Sequence, residues 1–327
     1  MEHRRLGRTG RDVSVIGFGG WAIGGSWGTV DDGESLEALH AAADAGVTLI
    51  DTADVYGDGR SEQVIRRFLG ERPGETFFVA TKMGRRAPLD PAEYTLANFR
   101  AWTDRSRENL GVDTLDLVQL HCPPTQVLYM PDVFEALDEL VADGAIAAYG
   151  VSVEKVEEAL KAIEFPGVAS IQVIFNMVRQ RPADRFLAEA ARRDVGVLAR
   201  VPLASGLLTG KLTAATTFEA DDHRLFNRHG ESFDVGETFA GVDYQTGLEV
   251  VEELKALVPE GATLAQVALR WILQHEGVSA TIPGAKTPAQ ARANAAAGDL
   301  APLPPEAMAR VTELYETRVK PLVHQRW

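Results

Sequence analysis

Short apolar, β-branched runs recur along the chain, each followed by a segment whose apolar positions fall at helical spacing. Val47–Asp51 precedes a helix-like Ser61–Leu69, Phe77–Lys82 precedes Tyr94–Leu110, and Leu115–His121 precedes Val133–Val141. The succession continues with Ala145–Val151 and Val156–Ile163, Ser170–Ile174 and Arg185–Arg192, Val195–Arg200 and Leu264–Leu273, and Val278–Ile282 and Ala289–Ala297. Val13–Phe18 with Leu36–Ala45 opens the series, which makes eight strand–helix pairs. Unbroken apolar strands imply burial on both faces, as in a parallel sheet covered by helices. Eight such units predict an α/β fold of the (β/α)8, or TIM-barrel, type rather than an open doubly wound sheet.

Several features decorate that repeat. Leu6–Gly10 reads as the turn of an N-terminal β-hairpin ahead of the first barrel strand. Gly46, Gly111, Gly144 and Gly196 stand just before strands, where helix C-terminal turns are expected. Leu212–Asp243 is too long and polar for an ordinary connection and predicts a lid or a functional loop. Tyr244–Leu257 and Pro305–Val319 read as extra helices, the second against the outside of the barrel. No composition break divides residues 1–327, so a single barrel domain is expected.

Composition narrows the partners. The 327 residues are 45% hydrophobic and 24% charged, as in an ordinary globular protein. With 47 acidic against 33 basic residues the formal charge is -14, which disfavours nucleic acid and anionic membranes as partners. One cysteine, Cys122, excludes an intrachain disulfide and a cysteine-based zinc site, and no metal is expected. His223 and His229 lack a converging ligand set. No signal-peptide core or membrane-length apolar run is found, so the expected location is the cytoplasm. Gly17–Ala22 matches G-x-G-x-x-A, but the glycine-rich Ile23–Gly28 that follows is no helix start, and the dinucleotide fingerprint needs one.

The chemistry sits at the strand ends, where such barrels carry their active sites. Asp51 closes the second strand of the repeat, Tyr56 follows it, Lys82 closes the third and His121 the fourth. Singly, each has a structural reading: a turn-forming Asp, a packing Tyr, a solvated Lys, a hydrogen-bonded His. Together they are a weak acid, a cation that lowers its pKa, a carboxylate that holds the cation, and an imidazole. An aldolase-type role for Lys82 as a Schiff-base amine is the competing chemistry.

With those residues stand Leu49–Gly57, Ala80–Lys82, Leu117–Pro123, Gly150–Ser152, Gln172 with Asn176, Pro202–Lys211 and Ile282–Thr287. In this order they resemble the aldo-keto reductase superfamily over nearly the whole chain. The resemblance implies that Asp51, Tyr56, Lys82 and His121 form a catalytic tetrad. It implies an NADPH-dependent oxidoreductase acting on a small-molecule carbonyl substrate, with Tyr56 as general acid. It places the nicotinamide carboxamide at Ser152 and Gln172 and the pyrophosphate over Leu203, Ser205 and Gly206. The 2′-phosphate falls at Gly284, Lys286, Thr287, Gln290 and Asn294. A helix N-terminus with a lysine suits a phosphate. Because no acidic residue occupies that stretch to receive a ribose hydroxyl, NADPH is expected over NADH. Val153 and Arg200 depart from the commoner Asn and Tyr, and Arg200 is expected to stack on the nicotinamide or contact phosphate. Trp21, Ile23 and Met83, with the long 212–243 loop, are expected to line the substrate pocket. Some proteins of this resemblance are channel-associated subunits that hold NADPH and turn over poorly; the complete tetrad favours the enzyme.

Overall fold

The strands align side by side in chain order in the computed structural model, which describes residues 1–25 and 31–327. β1 (His3–Arg5) and β2 (Asp12–Ser14) form an antiparallel hairpin. β3 (Phe18–Gly19), β4 (Leu49–Asp51), β5 (Phe78–Met83), β6 (Leu117–His121) and β7 (Tyr149–Ser152) follow. With β8 (Val168–Ile174), β9 (Gly196–Arg200) and β10 (Ala280–Thr281) they make one eight-stranded sheet ordered from β3 to β10. Its neighbouring strands are all parallel.

Parallel bridges Ile16–Thr281 and Gly19–Gly284 join the two ends of the sheet and close the (β/α)8 barrel. Thr281 N–H donates to the Val15 carbonyl at 2.9 Å and Gly17 N–H to the Thr281 carbonyl at 2.8 Å across this seam. Gly19 is required there, since a Cβ would lie 2.8 Å from the Ile282 carbonyl oxygen. Every residue of β4 to β9 is buried, as the unbroken apolar runs predicted.

The first strand needs correction. Val13–Phe18 is not one barrel strand: its first part belongs to the hairpin and only Phe18–Gly19 enters the barrel sheet. The hairpin is a plug, because Leu6 and Val13 pack with Leu49, Phe78, Ala80, Leu117, Leu198 and Ala280 at the closed end. Gly46, Gly111 and Gly144 have φ of 86°, 70° and 72°, the left-handed turns expected after helices. Gly196 does not. It lies inside β9, where a Cβ would come within 2.6 Å of the Leu6 side chain, so its role is close approach of the plug.

Helices Asp32–Asp44, Arg60–Glu71, Leu96–Leu110, Pro131–Ala142, Val156–Ala162, Phe186–Arg192, Leu264–Leu273 and Pro288–Ala296 surround the sheet. The 212–243 segment folds into short turns, with one helical turn at His223–Phe226. Tyr244–Lys255 is the expected extra helix. The tail is helical over Pro305–Leu314 and then widens into a π-turn at Tyr315–Val319, not one continuous helix. Arg310 and Arg318 tie the tail to Glu253 at 2.6 and 3.0 Å, which holds it on the barrel's outside. Among the described residues no helix is long and apolar enough to cross a membrane.

Candidate active site

Alternate residues of a strand share a face. Leu49, Ala80 and Leu198 belong to the apolar plug cluster, so Asp51, Lys82 and Arg200, two residues further on, face the same interior. His121 stands in the same relation, two steps beyond Leu117 by way of Gln119. Ser152 pairs in register with His121 and Gln172 with Ser152, which completes the ring. The barrel interior thus changes from apolar to polar at its upper end.

Lys82 is the centre of this layer. Its ammonium donates to Asp51 Oδ1 at 2.6 Å, to the Thr52 carbonyl at 2.7 Å and to the Tyr56 hydroxyl at 3.5 Å. Gln172 Nε2 donates to the other Asp51 oxygen at 2.7 Å. The Tyr56 and His121 rings meet edge to face, centroids 5.9 Å apart. Trp21 lies nearly parallel to Tyr56 at 6.3 Å.

Burial decides the protonation states. It pushes the Tyr56 phenol above its ordinary pKa, although Lys82 pulls the other way, so the phenol carries its proton at neutral pH. Burial opposes the charge on Lys82, but Asp51 and then Tyr56 outweigh it and hold the ammonium above its usual pKa. His121 is driven well below its ordinary pKa by burial and by Arg85, Lys82 and Arg200. It is therefore a neutral imidazole, able to orient an oxygen by a hydrogen bond but with no extra proton to give.

A cavity of about 690 Å³ runs from these groups along the rim. Asp51, Tyr56, His121, Ser152, Gln172 and Trp21 line one part of it. Arg200, Leu203, Ser205, Gly206, Gly284, Lys286, Gln290 and Asn294 line the other. The volume suits a dinucleotide with a small substrate. After β9, Val201, Ala204, Ser205 and Gly206 have φ of 50°, 45°, 56° and 92°. Left-handed runs of this kind build anion-binding concavities, and a β-branched Val at such a φ is strained. Thr287 caps the last barrel helix by accepting from Gln290 N–H at 3.3 Å. Gln290 Oε1 in turn accepts from Lys286 N–H at 2.8 Å, and Asn294 donates to the Gly284 carbonyl at 3.1 Å.

The sequence model of the Aldo/keto reductase family matches residues 15–316. This chain belongs to that family. Aldo-keto reductase YhdN of Bacillus subtilis is 32% identical over 303 residues, covering 90% of this chain and 87% of the relative. The glycerol dehydrogenase AKR11B4 from Gluconobacter oxydans superposes with a TM-score of 0.79 at 30% identity, over 98% of this chain and 96% of that one. An aldo-keto reductase from Klebsiella pneumoniae in complex with NADPH has a TM-score of 0.69 at 25% identity, over 97% and 98%. The chain is thus an NAD(P)H-dependent oxidoreductase of the aldo/keto reductase family on a (β/α)8 barrel.

Within this aldo/keto reductase some expected residues do not reach the cavity. Ile23 is 1% exposed and packs in the main core. Trp21 and Ile23 sit in the same helical turn, Trp21–Gly24, and two residues apart on a helix face opposite ways. That single turn starts at Trp21 and stops at Gly25, so no helix starts at Ile23–Gly25, while Ser26–Gly28 lie outside the described residues. Met83 is next to Lys82 on β5 and so points outward, where its sulfur meets the Thr103 hydroxyl at 3.9 Å. Thr287 serves the helix cap and does not line the cavity. The Ser205 hydroxyl donates to the Glu237 carbonyl at 2.8 Å and accepts from Phe239 N–H at 3.2 Å, anchoring the long loop.

Arg200, on the cavity wall, is held in place. It pairs with Glu237, with Glu154 at 2.9 Å and with the Val153 carbonyl at 3.0 Å. Cys122, Glu154 and Glu237 bring ligand atoms within 4.8 Å of one another, but all three converge on this guanidinium. Cys122 leaves β6 with φ 49° and lies off the cavity wall. Burial pushes its thiol up to about 12, which removes it as a nucleophile. His223 is buried against Trp21 at 4.8 Å while His229 is exposed, so the two do not converge.

The long 212–243 loop reaches the cavity, and the individual side chains that do so could not be named from sequence. Phe233 and Arg224 line the cavity, and Phe233 meets Trp21 edge-on at 6.0 Å. Asp222 comes close enough to Lys286 to act on its charge, which corrects the expectation of no acid there. Its carboxylate is occupied by Arg224, through bonds of 2.9 and 2.6 Å. The signal that could have found this segment was its unusual length and its Asp-Asp-His-Arg run, but neither says where a loop folds.

Proposed function

We propose that this aldo/keto reductase reduces aldehyde or ketone carbonyls to alcohols with NADPH, Tyr56 donating the proton, and that the same groups support the reverse oxidation. The observation that carries the reading is a half-buried phenol on the cavity wall, its pKa held above the ordinary value. It lies 3.5 Å from an ammonium that Asp51 fixes, beside a neutral imidazole. Bound NADPH would supply a hydride to the carbonyl carbon. Tyr56 gives its proton to the carbonyl oxygen as charge develops there, forming the O–H bond of the alcohol. Lys82 stabilises the resulting tyrosinate, and solvent returns the proton. His121 orients the carbonyl oxygen without changing charge. Acid help of this kind is worth roughly 10²–10⁴-fold in rate.

Ser152 and Gln172 would hold the carboxamide; Leu203, Ser205 and Gly206 the pyrophosphate; and Gly284, Lys286, Gln290 and Asn294, on a helix N-terminus, the 2′-phosphate. Thr287 supports that site through the cap. Arg200 contributes a fixed planar guanidinium whose charge is matched by Glu154 and Glu237. The preference for NADPH over NADH rests on Lys286 and on Asp222 being engaged with Arg224.

Tyr56→Phe is expected to lose carbonyl reduction by orders of magnitude in kcat while NADPH still binds, read by steady-state NADPH oxidation and by nucleotide fluorescence titration. Undiminished turnover would remove Tyr56 as the acid. Lys286→Glu is expected to weaken NADPH far more than NADH, and equal weakening would displace the phosphate site. A nucleotide-holding sensor subunit would show binding without turnover over a broad carbonyl panel.

A further inference from the structure

Arg85 follows β5, separated from Met83 by Gly84, and no step of the proposed reaction uses it. It nevertheless lines the cavity beside His121. Its Nε donates to the His121 carbonyl oxygen at 3.2 Å, which fixes the guanidinium against the strand that carries the imidazole. Nη2 reaches Glu154 at 3.5 Å, a long contact, because Glu154 gives its other oxygen to Arg200 at 2.9 Å. Nη1 has no hydrogen-bond partner among the described residues. Arg85 is thus a cation held in place on two sides and chemically unfinished on the third.

We infer that Arg85 is a specificity residue for carbonyl substrates that carry a carboxylate, with Nη1 binding the carboxylate while the carbonyl lies between Tyr56 and His121. This rests on the carbonyl-reductase reading above and names the substrate class for the same site. The cofactor phosphates do not account for Arg85. Their candidate residues follow β9 and β10, and three strands, β6, β7 and β8, separate β9 from β5 around the rim. A singly charged carboxylate fits better than a phosphate dianion, since Glu154 sits against the same guanidinium and repels the second charge. Trp21 and Phe233, which line the same cavity, are aromatic and suit the apolar chain between the carbonyl and the acid.

The test compares succinic semialdehyde with pentanal, which has a similar length and no charge, as substrates of the full chain with NADPH. The wild-type protein is expected to favour the acid, chiefly through a lower KM. Arg85→Gln is expected to lower the acid-to-pentanal ratio of kcat/KM roughly tenfold or more, the scale of one charge-assisted hydrogen bond. Arg85→Lys should restore part of that ratio. In the wild-type protein, without any substitution, butyrate should compete with pentanal more strongly than butyramide does. The inference is overturned if the ratio is the same in the wild-type protein and Arg85→Gln, or if butyrate and butyramide inhibit alike. A purely structural role through His121 would instead lower kcat for both aldehydes together and leave the ratio unmoved. Absence of NADPH oxidation with every carbonyl would overturn the reductase reading itself, and this inference with it. Turnover of pentanal without any advantage for the acid would overturn the inference alone.

Discussion

Asp54, two residues before Tyr56, is fully buried, and neither of its carboxylate oxygens has a hydrogen-bond partner among the described residues. Burial, with Glu62 beside it, raises its pKa to about 7 from an ordinary 3.8. The folded state therefore holds this proton more tightly than the unfolded state does. The stability it contributes is complete below pH 3.8 and is lost as pH rises to about 7. The difference amounts to a few kcal/mol, since each pKa unit is worth about 1.4 kcal/mol. Asp54→Asn, which cannot ionise, is expected to melt several degrees above the wild-type protein near about pH 8. Calorimetry across pH checks this, and a gain that is as large in acid as in alkali would refute it. Asp51 is also decided at this scale. It is the shared acceptor of Lys82 and Gln172, so Asp51→Asn should leave Lys82 poorly held and lower kcat more than nucleotide affinity.

At the scale of elements, the strands and the long loop obey different rules. Position along a strand aims a side chain automatically, which is why Asp51, Lys82, His121 and Gln172 could be read from the strands. The same alternation, overlooked for Met83, sends it outward. The 212–243 loop has no such period, and its placement depends on contacts with distant residues. Glu237 pairs with buried Arg200, and Ser205 receives the loop's backbone at Phe239. Removing one partner of a buried ion pair is costly, although Glu154 continues to neutralise Arg200 here. Glu237→Gln is accordingly expected to cost on the order of 1–3 kcal/mol and to expose the loop. Limited proteolysis should then cut within 212–243 sooner than in the wild-type protein; an unchanged digestion pattern would show the latch to be immaterial.

For the whole molecule, the net charge of -14 and the function pull in opposite directions. An acidic protein repels a polyanionic nucleotide at long range, yet Lys211 and Lys286 stand on the cavity wall. Screening at about 0.15 M salt acts over about 8 Å, so only these near charges matter once the nucleotide is bound. NADPH, with the additional phosphate, should lose affinity faster than NADH as salt rises from about 0.01 to about 0.5 M. Parallel slopes in fluorescence titrations would argue against a charged 2′-phosphate site.

The order of strand and helix, the barrel and the polar ends of its strands follow from the chain itself, because each depends on local periodicity and on which residue ends a run; Tyr56 entered through the family resemblance. Sequence could not show that Val13–Phe18 divides between plug and barrel, that Cys122 leaves its strand, or that Glu154 and Glu237 hold Arg200. Nor could it bring Asp222 and Arg224 to Lys286, or leave Arg85 with one unpaired edge beside His121. Those are meetings between residues far apart in the chain, fixed by closure of the barrel and by where an aperiodic loop finds partners for its buried polar groups.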